Sequence, residues 1–227
     1  MNISELKGMD FEDFDAFREF VIGNNKPKEK RIKKVGLAYD AFTGSFASRF
    51  QDFRLIRDPE EIADLDLVIF SGGEDISSNI YGERNQYCHG TNKNRDTIET
   101  AMYKKAKELN KKMFGVCRGH QLIGALENGT LFQDFVIQGD GDYTYHSQMH
   151  ELESNGSNSI VYRYFKGIPV TSMHHQAIRS TGLRCTTSHK GIIESCESKN
   201  IITVQFHPEF QNDRATDSFL KFIEEEW

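Results

Sequence analysis

The residues whose spacing carries the most chemistry lie between positions 113 and 121. The run MFGV-Cys117-RGHQLIG reads as an apolar strand, a sharp turn and the start of a helix. Gly115 and Gly119 stand two residues either side of Cys117, the small-x-nucleophile-x-small pattern of a nucleophile elbow. Such a turn forces its central residue into a strained backbone conformation, and bulky neighbours at the two flanking places would collide. It pushes the sulfur out at the carboxyl end of the strand. It also sets the thiol against helix N–H groups, which favour thiolate over thiol. The Arg118 N–H points to the same spot and offers a donor to an oxyanion. Taken alone, these residues also describe a buried structural cysteine beside a helix start.

Acyl transfer by a thiolate needs a base, and the base needs a group to orient it. Among eight histidines, His207 directly follows the apolar run ITVQF, in Phe206-His207-Pro208-Glu209. A parallel strand would deliver it to the end of the sheet where the elbow lies. Pro208 stiffens the turn, and Glu209 is near enough to hold the imidazole. Ser71-Gly72-Gly73-Glu74-Asp75 follows another apolar strand. There Gly72 and Gly73 let the backbone approach a ligand, and their N–H groups offer the rest of an anion pocket. The glycines make no GxGxxG at a strand–helix junction, so no dinucleotide cofactor is expected. His174 and His175 form a further polar cluster at an expected strand end. Together with His207 and Glu209 they raise the question of a metal. The spacing is wrong for an HExxH helix and no cysteine pair supports zinc, so no metal is expected.

The elements that must position these groups follow from periodicity. Strands are expected at 35–39, 53–56, 64–70, 113–116, 160–165, 169–175 and 202–206. A hairpin spanning 183–197 should turn at Lys190 and Gly191. Helices are expected at 43–53, at 94–111 starting near Asp96 and Thr97, from the elbow to Gly129, and at 213–227. Strand and helix alternate through the first half, which argues for a mostly parallel sheet covered on both faces, an α/β fold. Residues 1–23 carry Phe11, Phe14, Phe17 and Phe20 on one helical stripe. They read as an N-terminal helical appendage tethered by the charged segment 24–33, ahead of a catalytic domain at 34–227.

Composition narrows the functional classes. The chain has 227 residues, 28 Lys plus Arg and 34 Asp plus Glu, for a net charge of −6. That balance disfavours a dedicated nucleic-acid binder and an anionic-membrane binder. Four cysteines without a CxxC pair are too sparse for a disulfide scaffold and suit the cytoplasm. The N-terminus shows no signal peptide, and no window is apolar enough for a membrane span.

The block GVCRGHQLIGALENGTLFQD resembles the elbow of class I glutamine amidotransferase-like proteins. Within them it is most similar to the γ-glutamyl hydrolase branch, which includes γ-glutamyl-γ-aminobutyrate hydrolase. SGGEDISSNIYG (71–82), NRDTIE (94–99), GTLFQD (129–134), TSMHHQAI (171–178) and VQFHPE (204–209) agree in order and spacing. The resemblance covers about residues 34–227 and implies a three-layer α/β/α, flavodoxin-like fold. It places the nucleophile on Cys117, the base on His207 and the acid on Glu209. It places the oxyanion donors on Gly73 and Arg118, and substrate contacts on Gln121, His174, His175 and Gln176, with Gly72 beside them. Ser78 stands where relatives carry proline, Asn128 precedes Gly129 where a glycine pair is common, and Tyr39 and Asp40 replace a frequent arginine. The first and third of these departures alter the rim, so the leaving-group preference of relatives does not carry over.

The resemblance implies hydrolysis of a small γ-glutamyl amide through a thioester. One alternative is a glutaminase subunit that passes ammonia to a separate synthetase partner. Another is an inert binding or scaffold protein of the same fold. A homodimer is the default expectation for the assembly.

Overall fold

Short runs of alternating aliphatic residues, each closed by a glycine, a polar turn or a helix cap, set the architecture. The computed structural model describes residues 33–39, 43–139, 147–156 and 158–227. The expected appendage at 1–23 and its tether, save Lys33, lie outside the described residues. The first half runs β1 (Lys34–Ala38), α1 (Thr43–Ala47), β2 (Asp52–Ile56), β3 (Leu67–Phe70), α2 (Lys93–Glu108), β4 (Lys112–Val116) and α3 (Arg118–Leu126). Then come β5 (Thr130–Phe132), α4 (Phe135–Gln138), β6 (Met149–His150), β7 (Glu153–Ser154) and α5 (Ile160–Phe165). The chain closes with β8 (Val170–Thr171), β9 (Ala177–Ser180), β10 (Arg184–His189), β11 (Ile192–Glu197), β12 (Ile201–Val204) and α6 (Arg214–Glu225).

The main sheet has the order β2-β1-β3-β4-β12-β11-β10-β7. Its first five strands are mutually parallel, the flavodoxin-like order. The last three attach antiparallel. Alternation along the parallel strands splits the core in two. Val35, Leu37, Leu67, Ile69, Phe114, Val116, Ile202 and Val204 face α6 through Phe219, Leu220 and Ile223. Ala38, Val68, Phe70, Met113 and Ile201 face Met102, Tyr103 and Ala106 of α2 and Leu122 and Ile123 of α3. The result is the three-layer α/β/α domain.

Several expectations are corrected. Residues 160–165, expected as a strand, form α5. The Ser159 hydroxyl caps it by accepting the Tyr162 N–H at 3.0 Å, and Val161 and Phe165, four apart, are buried on one side. The run IVYRYF is β-branched and aromatic, so its composition imitates a strand. The strand expected at 169–175 shrinks to Val170–Thr171, and His174 and His175 sit in the loop before β9 rather than at a strand end. Helix α2 starts at Lys93, capped by the Asn92 side chain on the Arg95 N–H, not near Asp96. Helix α1 stops at Ala47, α3 stops at Leu126, and the residues before Leu67 form a 3-10 turn from Pro59 to Asp64. The small pair β5 and β9 has no counterpart among the expected strands. The hairpin is as expected, with Lys190 at φ 46° and Gly191 at φ 82°.

Candidate active site

Cys117 connects β4 to α3 at φ 50° and ψ −104°, a conformation that costs free energy for any side chain. Its N–H donates to the Val204 carbonyl at 2.8 Å, and its carbonyl accepts from the Gln121 N–H at 3.1 Å. The strand thus feeds the helix through Cys117 as the single intervening residue. The two flanking glycines are required by space. A Cβ on Gly119 would lie 2.0 Å from the Phe70 carbonyl oxygen, and one on Gly115 would lie 2.8 Å from the Gly119 carbonyl oxygen.

His207 follows β12, the neighbour of β4 in the sheet, with Val204 in register with Val116. Its N–H donates to the Thr171 carbonyl at 2.9 Å, and Phe210 stacks on its ring at 5.3 Å. Nδ1 lies 2.7 Å from Glu209 Oε1, which leaves the other ring nitrogen for the Cys117 side chain, its second hydrogen-bond partner. Burial alone would push the His207 pKa down. The Cys117 sulfur and the Glu209 carboxylate outweigh it and raise the pKa from 6.5 to about 10. Both neighbours therefore favour the protonated imidazole.

Cys117 opens onto a cavity of about 170 Å³ lined also by Gly73, Asp75, Gln121, Met173, His174, His175 and Gln176. The Gln121 amide donates to the Gln176 carbonyl at 2.7 Å. His174 Nδ1 is 2.9 Å from the same carbonyl, so that nitrogen carries a proton. His175 Nε2 meets Asp75 Oδ1 at 2.9 Å. This bond raises the His175 pKa, burial opposes it, and the charges of Asp75 and Asp134 add to the rise. Gln176 reaches the cavity wall, but its amide is engaged with both the N–H and the carbonyl of Ile76. It ties the loop after β3 to β9. Gly72 does not line the cavity. Arg118 keeps its backbone at the elbow while its side chain turns away into the protein.

Beneath the loop after β3 lies a buried ionic cluster that sequence reading missed. Arg95 and Arg118 are fully buried, and Glu99 lies between them, bonded to Arg95 Nε at 3.0 Å and to Arg118 Nη1. Asp96 binds Arg118 Nη2 and accepts from the Ser77 N–H at 3.2 Å. Burial pushes the Glu99 carboxyl up, and the Arg118 and Arg95 charges pull against it. The available signal was the placement of Arg95, Asp96 and Glu99 on one helix side, within the segment NRDTIE. His120 points into the sheet rather than the cavity, with Nδ1 2.8 Å from Thr203 Oγ1. Burial lowers its pKa to about 4 against the pull of Glu194. Among the described residues, no group of three or more His, Cys, Asp or Glu is placed to hold a metal ion. No helix there is long and apolar enough to cross a membrane.

Comparison with known proteins supplies the family and the fold. The peptidase C26 family model matches residues 57–209. The Lactococcus lactis protein named "Putative glutamine amidotransferase-like protein YvdE" is 32% identical over 163 residues. The match covers 64% of this chain and 66% of that protein. Protein NtpR of Enterococcus hirae is 31% identical over 175 residues, covering 70% of this chain and 73% of its own. Two solved structures share the fold. A Thermoplasma acidophilum protein described as a "putative gmp synthase subunit a protein" superposes with a TM-score of 0.60 at 16% identity, covering 85% of this chain and 93% of that one. A Thermotoga maritima glutamine amidotransferase gives 0.55 at 13% identity, with 77% and 75% covered. With two thirds of its length matched to one family model, and an elbow, a sheet order and a cavity of this kind, the chain belongs to the peptidase C26 family, of class I glutamine amidotransferase-like architecture.

Proposed function

We propose that the protein hydrolyses γ-glutamyl amides through a thioester on Cys117. The observation that carries this reading is the line from Cys117 through His207 to Glu209, opening on a small cavity walled by Gly73. The Cys117 thiolate attacks the γ-carbonyl carbon, and the electron pair moves onto oxygen. The N–H groups of Gly73 and Arg118 hold that oxyanion. The His207 imidazolium gives its proton to the nitrogen as the C–N bond breaks, and the amine leaves. Water then loses a proton to the neutral imidazole and attacks the thioester carbonyl. The C–S bond breaks, glutamate departs, and the thiolate–imidazolium pair is restored. Glu209 orients His207 throughout and stabilises its charge.

Gln121, His174 and His175 are the side chains we assign to the γ-glutamyl group. Gln176 serves instead by fixing the wall. The cavity is well below the roughly 300–1,000 Å³ of sites that enclose drug-sized ligands. It suits the glutamyl end alone, with the amine projecting past the exposed Met173. Free thiols and thiolate chemistry suit a reducing compartment, the cytoplasm.

Purified protein should release glutamate from at least one member of a γ-glutamyl amide panel, and Cys117→Ala should lower kcat by about 10³-fold or more. Unchanged turnover in Cys117→Ala overturns the assignment. The Thermoplasma neighbour, described as part of a GMP synthase, supports a second reading, a glutaminase subunit serving a synthetase. Turnover that appears only when a synthetase is added would select it. A glutamine-like electrophile that leaves no adduct on Cys117 would select an inert protein.

A further inference from the structure

We propose that Arg95, acting through Glu99 and the Arg118 side chain, is the positioning residue of the oxyanion pocket, holding its two backbone donors at a fixed separation. This inference rests on the reading above that Gly73 and Arg118 supply those donors.

One peptide plane sets the first donor. Arg95 Nη2 donates to the Gly72 carbonyl at 2.9 Å and to Ser71 Oγ at 3.2 Å. The peptides here are trans, so a carbonyl and the N–H that follows it point in opposite directions. Pulling the Gly72 carbonyl toward Arg95 therefore turns the Gly73 N–H away from Arg95. Gly73 lines the cavity that holds Cys117. Its φ of +150° suits glycine, and a Cβ there would lie 2.2 Å from Arg95 Nη1. The residue type at 73 and the guanidinium at 95 are thus two halves of one fit. Arg95 Nη1 also binds Glu74 Oε2 at 2.8 Å, so the loop is gripped on both sides of Gly73.

The same cluster reaches the second donor. Glu99 takes Arg95 on Oε1 and Arg118 on Oε2, joining the two guanidiniums through one carboxylate. Arg118 is the residue after the nucleophile, and the Gly119 N–H donates to the Ser71 carbonyl at 3.1 Å. Loop and elbow are therefore tied once by backbone and once through the ions. A buried ion cluster is a poor stabiliser, because desolvation offsets the attraction, and apolar replacements are often neutral. What it supplies is direction: a planar fork with fixed donor angles that a lysine cannot copy.

The test compares wild type with Arg95→Lys and Glu99→Gln, using the γ-glutamyl amide that wild type cleaves best. Four quantities are read: kcat, KM, the rate of Cys117 alkylation by iodoacetamide followed by mass spectrometry, and the melting transition. Alkylation uses the thiolate but forms no oxyanion. We expect kcat to fall by about 10²-fold in Arg95→Lys and by about tenfold or more in Glu99→Gln, with KM within about threefold and alkylation unchanged. A kcat equal to wild type in a folded variant overturns the positioning role and leaves the hydrolase reading intact. So does a fall in kcat matched by an equal fall in alkylation, which would mean the elbow itself has collapsed. Loss of a cooperative melting transition in both variants also overturns it, because the cluster is then a folding element. Wild-type protein that cleaves nothing in the panel defeats the hydrolase reading first and this inference with it.

Discussion

A histidine raised to a pKa of about 10 has two consequences that depend on pH. Its folded value lies above the ordinary 6.5, so its pairing adds stability that is fully present below about pH 6.5 and is lost as pH rises through about 10. The imidazolium is also the form that donates to the leaving amine, so turnover should fall on the same basic limb. Glu209→Gln removes the charge that accepts from Nδ1 at 2.7 Å. We expect kcat to drop by about 10²-fold or more and the basic limb to move to lower pH. The stability gap between wild type and variant should close between about pH 6.5 and 10. A pH–rate profile and melting curves across that range check both, and a limb that stays in place removes Glu209 from the role assigned here. At this scale Cys117, His207 and Glu209 were legible as candidates because each is marked locally, Cys117 by flanking glycines, His207 by a preceding apolar strand and Glu209 by the proline before it. Arg95 and Glu99 were not. Charges on a helix read as its solvent face, and only the loop folded over them makes that face interior.

The elbow shows how much of an element is decided by the absence of a side chain. Gly119 packs against the main chain at Phe70, and backbone cannot give way as a flexible side chain can. Gly119→Ala should destabilise the protein by at least about 3 kcal/mol, with loss of activity. Gly44, in the first turn of α1, has nothing within 4 Å of an added Cβ. Gly44→Ala should be neutral or stabilising by up to about 1 kcal/mol. Denaturant titration of the pair checks the contrast, and equal effects would show that the close approach at Gly119 is relieved elsewhere. The same scale explains the misread segment at 160–165. Composition favoured a strand, but the sheet edge is already taken by β7, and the Ser159 hydroxyl and the Glu197 carboxylate satisfy the N–H groups of Tyr162 and Val161. Capping by a glutamate from a distant strand is invisible to any local window.

Across the whole molecule, the site lies where neighbouring parallel strands end together, so its geometry is inherited from sheet register. Cys117 follows β4, His207 follows β12, and the Cys117 N–H bonds directly to Val204. The doubly covered parallel sheet was legible because its inner strands β1, β3, β4 and β12 are mostly apolar and buried on both faces, whereas the edge strand β2 carries exposed Asp52 and Arg54. The antiparallel extension through β11, β10 and β7 was seen only as a hairpin, since nothing local shows which edge it joins. Register is held by backbone bonds, whereas the aromatic layer behind them contributes buried apolar area. Phe219 is fully buried, with Phe114 and Phe165 edge-on at 5.8 and 5.3 Å. These two contributions should therefore separate. Phe219→Leu should cost about 1–3 kcal/mol by leaving part of the ring's volume unfilled. Well below the melting temperature, kcat should stay within about twofold of wild type, because the replacement breaks no bond between β4 and β12. Measuring both at 25 °C decides it. A kcat that fell in step with stability would mean that the aromatic layer, and not the strand pairing, sets the distance between Cys117 and His207.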